Sequence, residues 1–329
     1  MRDVSRLLRA AGSFACLSLA TVASSNADAR ELRVVSGWAT NYAFTEHILK
    51  PFMAEVEKAT NGEITFVLSG PDTVATFEQF QPMQAGVFDV LFTHPSYHAG
   101  TTTLGMSIDA TAADPAGRRE AGVFDFIADH YRTNLQVELV GAPPIGSDGF
   151  RIFLKSPIEG EPGSTAGRFA APPRTSRSSG SPVNMPGGEV YTSLQRGVID
   201  GAIWTTTGVV EFKLNEVADY YSEPAFGQVG ALIFFNGATW ASLDDDQRTA
   251  ITAAAKAIEL QSVTVFDRLG ADELAELQKL GMEKADFSEA EGAALDKYWA
   301  ESVWEAASAQ AAEPVAELRA LAAKAGLAE

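Results

Sequence analysis

The sequence predicts an α/β protein of two lobes, on three observations. Strand and helix patterns alternate from Leu32 to Thr93 as strand, helix, strand, helix, strand, the order that builds a mostly parallel sheet covered by helices. A helix–glycine–strand device occurs twice, as Gln84-Ala85-Gly86-Val87-Phe88-Asp89 and as Gln195-Arg196-Gly197-Val198-Ile199-Asp200, 111 positions apart. About 300 residues follow an export-type start, enough for two ordinary cores. The repeat suggests two similar lobes; helix, glycine, strand is also the commonest punctuation of any α/β chain, so the repeat alone leaves both readings open.

The first residues read as an export leader. Arg2, Arg6 and Arg9 make a basic start, Ala10 to Val22 is a short apolar run, and Ala27-Asp28-Ala29 is an A-x-A site that places the mature start near Arg30. The apolar run is too short to span a membrane. The one cysteine, Cys16, lies inside the leader, so the mature chain is thiol-free. That suits an oxidising compartment and removes cysteine nucleophiles, disulfides and cysteine metal sites together. Without residues 1–29 the chain carries 22 basic and 41 acidic residues, a net charge of −19. Nucleic acid and anionic membranes are therefore excluded as natural partners, and an anionic ligand would need a local cation.

Leu32 to Ser36 reads as a buried first strand, followed by a loop from Trp38 to Asn41. Phe44, Ile48, Phe52, Met53 and Val56 repeat at helical spacing, with a kink expected at Pro51 and a stop at Asn61-Gly62. Ile64 to Leu68 is a second strand, Ala75 to Ala85 a helix bent at Pro82, and Phe88 to Thr93 a third strand. Ligands of such sheets sit at the strand C-terminal ends, which points to Trp38, Thr93, His94 and Tyr97. A helix is expected over Arg119 to Thr133, and strands over Val137 to Val140 and Gly149 to Leu154.

Arg151 stands inside the apolar run Phe150-Arg151-Ile152-Phe153-Leu154. It is either an edge-strand residue reaching water or a buried cation awaiting an anion. The stretch Gly187 to Trp204 reads as a helix, stopped by Gly197, feeding a strand that delivers Trp204 to its far end. Ala231 to Phe235 is a further strand. A long alanine-rich helix then starts near Asp245, capped by Ser242 or Asp244, and the chain is helical again from Ser288. Leu295, Tyr298, Trp299 and Val303 form an apolar face there, read as packing.

No catalytic or cofactor motif stands out. His94 and His98 have the i, i+4 spacing of a metal pair, but Pro95 breaks a regular helix through them and no third ligand is evident. There is no G-x-S-x-G, P-loop or G-x-G-x-x-G pattern. No cofactor and no metal are expected.

Glu189-Val190-Tyr191, Leu194-Gln195, Gly197-Val198-Ile199-Asp200-Gly201-Ala202 and Trp204 resemble the signature of the solute-binding proteins of tripartite ATP-independent periplasmic (TRAP) transporters, the DctP type. The resemblance extends through Gly62, the Gly86 to Asp89 turn, Gly149-Phe150-Arg151 and Asn236 to Leu243. It implies a two-lobed periplasmic-binding-protein (clamshell) fold with hinge strands and a long lobe-spanning helix. Lobe I is expected over 30–148 and 231–270, and lobe II over 149–230 and 271–329. It further implies a periplasmic receptor, not an enzyme, that closes on a small organic acid and hands it to the small and large integral-membrane subunits of an ion-driven permease. Arg151 matches a family arginine on the ligand carboxylate, a role suited to the rigid guanidinium fork. Trp204 matches a cleft-lining position, as do Trp38, Thr93, His94 and Tyr97. The rivals are the binding subunit of an ATP-driven importer, a sensor, and an extracytoplasmic enzyme.

Between Glu161 and Ser181 the resemblance fails. The family has there a strand reading roughly Gly-x-Lys-Ile-Arg, whose arginine is its main carboxylate anchor, whereas this chain reads EPGSTAGRFAAPPRTSRSSGS. A permissible codon choice for Gly167 to Ser179, read from the third base of each codon, gives Lys-Ile-Arg-Gly-Ala-Pro-Pro-Tyr-Gln-Pro-Leu-Ile. We therefore expect a local frameshift covering 162–179, which makes Arg168 and Arg174 accidental and removes half of the carboxylate clamp.

Overall fold

The computed structural model describes residues 29–156, 168–170, 181–183, 185 and 187–328. The leader and most of the stretch expected to be frame-shifted lie outside the described residues.

Two sheets define two lobes. The first contains β1 (Arg30–Ser36), β2 (Ile64–Ser69), β3 (Val90–Thr93), β4 (Val137–Gly141) and β10 (Leu232–Asn236) in the order β2-β1-β3-β10-β4. The second contains β5 (Phe150–Leu154), β6 (Arg168–Ala170), β7 (Ser181–Val183), β8 (Gly201–Thr205), β9 (Tyr220–Glu223) and β11 (Glu283–Asp286) in the order β11-β9-β5-β8-β6-β7. β1 pairs parallel with β2 and β3, as the alternating pattern predicts. The strands that arrive from the other lobe run the other way: β10 is antiparallel to β3 and β4, and β5 to β8 and β9. The repeated device is one strand-entry turn per lobe, with Gly86 at φ 79° and Gly197 at φ 67°, backbone angles that glycine adopts freely.

Helices α1 (Lys50–Ala59), α2 (Phe80–Gln84), α3 (Pro115–Glu120), α4 (Val123–Leu135), α5 (Gly187–Gln195) and α6 (Gly237–Ala241) cover the sheets. Several differ from their sequence expectation for local reasons. Pro51 stands in the first turn of α1, where its missing N–H costs nothing, after a wide turn at Thr45–Leu49. The helix expected over Arg119 to Thr133 is two helices, because Gly122 takes φ 78° between them. The strand expected from Val198 begins at Gly201.

α7 (Asp245–Lys279) carries a capping box from Asp244 and Gln247. It buries Ile251, Ala254, Ala255 and Ile258 in the first core, while Leu274 and Leu277 reach the second. α8 (Glu289–Lys324) corrects the expected lobe boundary. Residues 271–329 were assigned to lobe II, but α8 returns to lobe I, burying Trp299, Val303, Trp304, Val315 and Leu318 in the first core. The helix packs on the segment Leu104–Ala110, and Trp299 rests on Phe150 and Phe226 at 4.5 and 5.8 Å.

Candidate ligand cleft between the lobes

A cavity of about 100 Å³ lies where the sheets face each other. Lobe I supplies Trp38, Tyr42, Phe44, His94, Ser96 and Tyr97, lobe II supplies Met185, Gly187, Val190, Ile203, Trp204 and Thr205, and the crossing segments add Phe150 and Val229. A wider groove of about 660 Å³ runs over α8 between Tyr298 and Arg319. That groove is an open concavity on one folded-over helix, away from both strand ends, and its Arg319 is already paired with Glu301.

The lobe I wall is built at the C-terminal ends of β1 and β3. Trp38 follows β1 and packs on Phe44, Phe92 and Tyr97 at centroid distances of 5.1, 4.9 and 5.7 Å. Burial pushes the Tyr97 phenol up to about 12, against the smaller pull of the neighbouring Trp38 indole, so Tyr97 is neutral and can donate. His94 follows β3 and is fixed at both nitrogens. The Ser96 backbone N–H donates to Nδ1 at 3.2 Å, and Nε2 lies 2.9 Å from Asp109 Oδ2. A backbone N–H is an obligate donor, so Nδ1 is bare and the ring proton sits on Nε2 beside the carboxylate. Asp109 also accepts the Gly230 N–H at 2.8 Å, which ties His94 to the crossing segment. Thr93 is buried with its hydroxyl on the His94 carbonyl and stands outside the lining residues.

Trp204 forms the opposing wall near the end of β8. It rests on Phe212 at 5.1 Å, and a side chain at Gly187 would meet its ring at 2.7 Å. Its indole N–H is buried without a protein partner among the described residues. Arg151 is the register partner of Trp204 across β5 and β8, but it too stands outside the lining residues. Its Nε donates to Thr206 Oγ1 at 3.0 Å, and its Nη1 to the Ser222 carbonyl and the Glu223 carboxylate, both at 2.8 Å. Nη2 keeps a long 3.4 Å bond to the exposed Asp148. Of the residues expected in the site, the structure thus brings Trp38, His94, Tyr97 and Trp204 together, and places Thr93 and Arg151 behind the walls.

Tyr42, Phe44, Phe150 and Thr205 line the cleft without having been singled out in the sequence. Tyr42 and Phe44 read as an ordinary helical-period start, and Phe150 and Thr205 as sheet residues. No group of histidines and carboxylates suited to a metal ion occurs among the described residues, and no helix among them is long and apolar enough to cross a membrane.

Two α/β lobes enclosing a small cleft at their strand ends define a clamshell fold. The model of bacterial extracellular solute-binding protein family 7, DctP, matches residues 175–310. A solute-binding protein of Roseobacter denitrificans is 34% identical over 116 residues, which is 35% of this chain and 34% of that protein. The match to that relative thus spans about a third of its length. A solute-binding protein of Albidiferax ferrireducens is 23% identical over 262 residues, 75% of this chain and 76% of the relative. Among solved structures, a TRAP periplasmic solute-binding protein from Desulfovibrio salexigens with bound orotic acid aligns with TM-score 0.77 and 18% identity, covering 90% of this chain and 99% of that one. One from Rhodoferax ferrireducens with bound malonate aligns equally well, at 19% identity over 89% and 98%. These show a shared fold. Residues 175–310 thus match the DctP solute-binding family, and the chain as a whole shares the fold of TRAP periplasmic solute-binding proteins.

Proposed function

We propose that this protein is the extracytoplasmic receptor of a TRAP transporter, exported with cleavage near Ala29. It captures a small organic acid by lobe closure and delivers it to the small and large membrane subunits of the permease. The observation that carries the reading is the cleft itself, with Trp38, His94 and Tyr97 facing Trp204 across two lobes. The bound orotic acid and malonate of two structural relatives fit the same ligand class.

Arg151 is the carboxylate anchor in this reading. Its Nη2, held among the described residues by the long bond to exposed Asp148, is the donor placed to exchange onto a ligand carboxylate, while Thr206 and Ser222 keep the rest of the guanidinium aligned. Trp204 contributes its unpaired indole N–H, and the aromatic walls take the body of the acid.

The test is calorimetric titration of the protein, stripped of bound molecules by unfolding and refolding, with malonate, orotate and pyroglutamate, followed by uptake of the best binder in cells. Saturable binding, and uptake abolished by collapsing the ion gradient with ATP maintained, are the expected results. Turnover of the acid, or uptake that follows ATP instead, overturns the reading.

A further inference from the structure

Tyr42 belongs to lobe I and packs there on Phe44 at 4.8 Å, yet its ring and hydroxyl also reach Thr205, Gly208 and Phe212 of lobe II. It leaves the loop after β1 and is 1% exposed. Its hydroxyl lies beside Thr205 at the end of β8. Its ring meets Phe212 at 5.2 Å, and the hydroxyl oxygen lies where a Cβ on Gly208 would come within 2.6 Å. The next residue repeats the crossing: the Ala43 backbone N–H faces the Glu211 carboxylate. Phe212 packs against both hydrophobic cores.

Gly208 makes the approach possible twice over. It has no side chain to occupy the place of the phenol, and it takes φ +94°, an angle that L side chains rarely adopt. The loop that carries it is held from below by α7, where Glu273 accepts the N–H groups of Gly208 and Val210, both at 2.8 Å. The receiving loop is therefore a preformed socket and the phenol a fitted plug. Every one of these contacts is made by the protein with itself.

We propose that Tyr42, seconded by the Ala43 N–H, is a latch that holds the lobes together through the protein's own contacts, so that the closed form is substantially populated before any ligand binds. The latch rests on the two-lobed closing motion of the proposed function but not on the nature of the ligand. Its effect on binding is general: apparent affinity is the intrinsic affinity multiplied by the fraction of molecules in the open, ligand-accepting form, and a latch lowers that fraction.

The experiment uses the mature chain, which starts near Arg30 and carries no cysteine. Val67 of lobe I and Val198 of lobe II, 46% and 51% exposed, are changed to Cys and spin-labelled. Inter-label distances are then measured by pulsed electron resonance on refolded protein with no ligand added. The parent is expected to show a short-distance population. Tyr42→Phe, which keeps the ring and removes the hydroxyl seated against Gly208, should shift the ratio toward long distances by about threefold to tenfold. Gly208→Ala should abolish the short population. Circular dichroism and melting of each variant confirm that both lobes stay folded, which a merely structural role for Tyr42 would not allow. A parent with only long distances overturns the proposal, as does a Tyr42→Phe distribution identical to the parent's. Failure of the acid titrations would instead strike at the ligand class and leave these distances unchanged.

Discussion

Arg151 and Trp204 stand opposite each other on the antiparallel β5–β8 ladder, yet only the indole faces the cleft. Residues directly opposite share a face of the sheet, so the separation is one of depth. The guanidinium folds back to Thr206, Ser222 and Glu223 and leaves the indole as the inner wall. An arginine buried to 2% with a carboxylate already on it is a restrained anchor: an incoming acid competes with acids of the chain itself.

That competition can be weighted by mutation. Asp148→Asn removes the weakest and most exposed competitor and should tighten binding of malonate by a few fold, with little change in melting, because exposed pairs contribute only about 0–1 kcal/mol. Arg151→Gln should lose binding and also destabilise the protein by about 1–3 kcal/mol, since the Ser222 carbonyl and Thr206 lose their buried partner. Calorimetry and denaturant melts separate the two effects.

Trp204→Phe separates them from the other side. The indole N–H makes no bond within the described protein, so its removal should leave melting unchanged or slightly raised. If that N–H reaches the ligand, affinity falls by about threefold to tenfold. A large loss of stability with unchanged affinity would show that Trp204 is packing alone.

Gly149→Ala should be far more damaging than its conservative form suggests. A methyl there would lie 2.1 Å from the Gly227 carbonyl oxygen, where the segments entering β5 and leaving β9 pass each other, with Trp299 packed against Gly227 from outside. Backbone cannot give way as a side chain can. We expect a loss of more than about 2 kcal/mol, seen as a lowered melting midpoint without ligand.

The pH dependence carries a defined sign at His98. Burial, with His94 adding to it, pulls this imidazole down to about 3, while Nε2 bonds the Tyr131 hydroxyl at 2.7 Å and the ring stacks on Phe80 at 4.5 Å. A base depressed in the folded state contributes stability that is complete above its ordinary value near 6.5 and lost as pH falls toward 3. Melting should therefore drop between pH 6.5 and 4. In His98→Phe the protein should be less stable at pH 7 but lose less on acidification, with the difference in slope bounded by about 1.4 kcal/mol per pH unit.

The stretch from 162 to 179 is tested at the level of DNA. β6 lies parallel to β8, pairing Phe169 with Gly201 and Ala170 with Ala202, and the third-base reading places its Lys-Ile-Arg at about the same positions. We expect codons 158 to 183 to permit that reading. Codons that exclude it end the frameshift proposal and leave Arg151 as the anchor by itself.

What was legible in the sequence was whatever is written locally. The αL turns at Gly86 and Gly197, the parallel start of lobe I and the capped α7 all follow from residues a few positions apart. His94, Tyr97, Trp38 and Trp204 were found because strand ends are where α/β sheets bind. The return of α8 to lobe I was not legible, since a face of Trp299 and Val303 asks for apolar cover without saying from which lobe. Nor was Tyr42, whose partners Thr205 and Gly208 lie more than 160 positions away; an aromatic at the start of a helix pattern carries no mark of what it will meet. The binding of Arg151 to Glu223 likewise depends on a 72-residue separation that no spacing rule spans.

The described chain passes between the lobes four times: from β4 to β5, from β9 to β10, along α7, and from β11 to α8. Two flexible strands joining two bodies permit twisting as well as bending. Adding a continuous helix, about 50 Å long at 1.5 Å per residue and embedded in both cores, removes the twist, and the return of α8 fastens its far end. What remains is a single swing. For the proposed membrane subunits, a receptor built this way would offer a two-valued signal, open or shut, set by one angle.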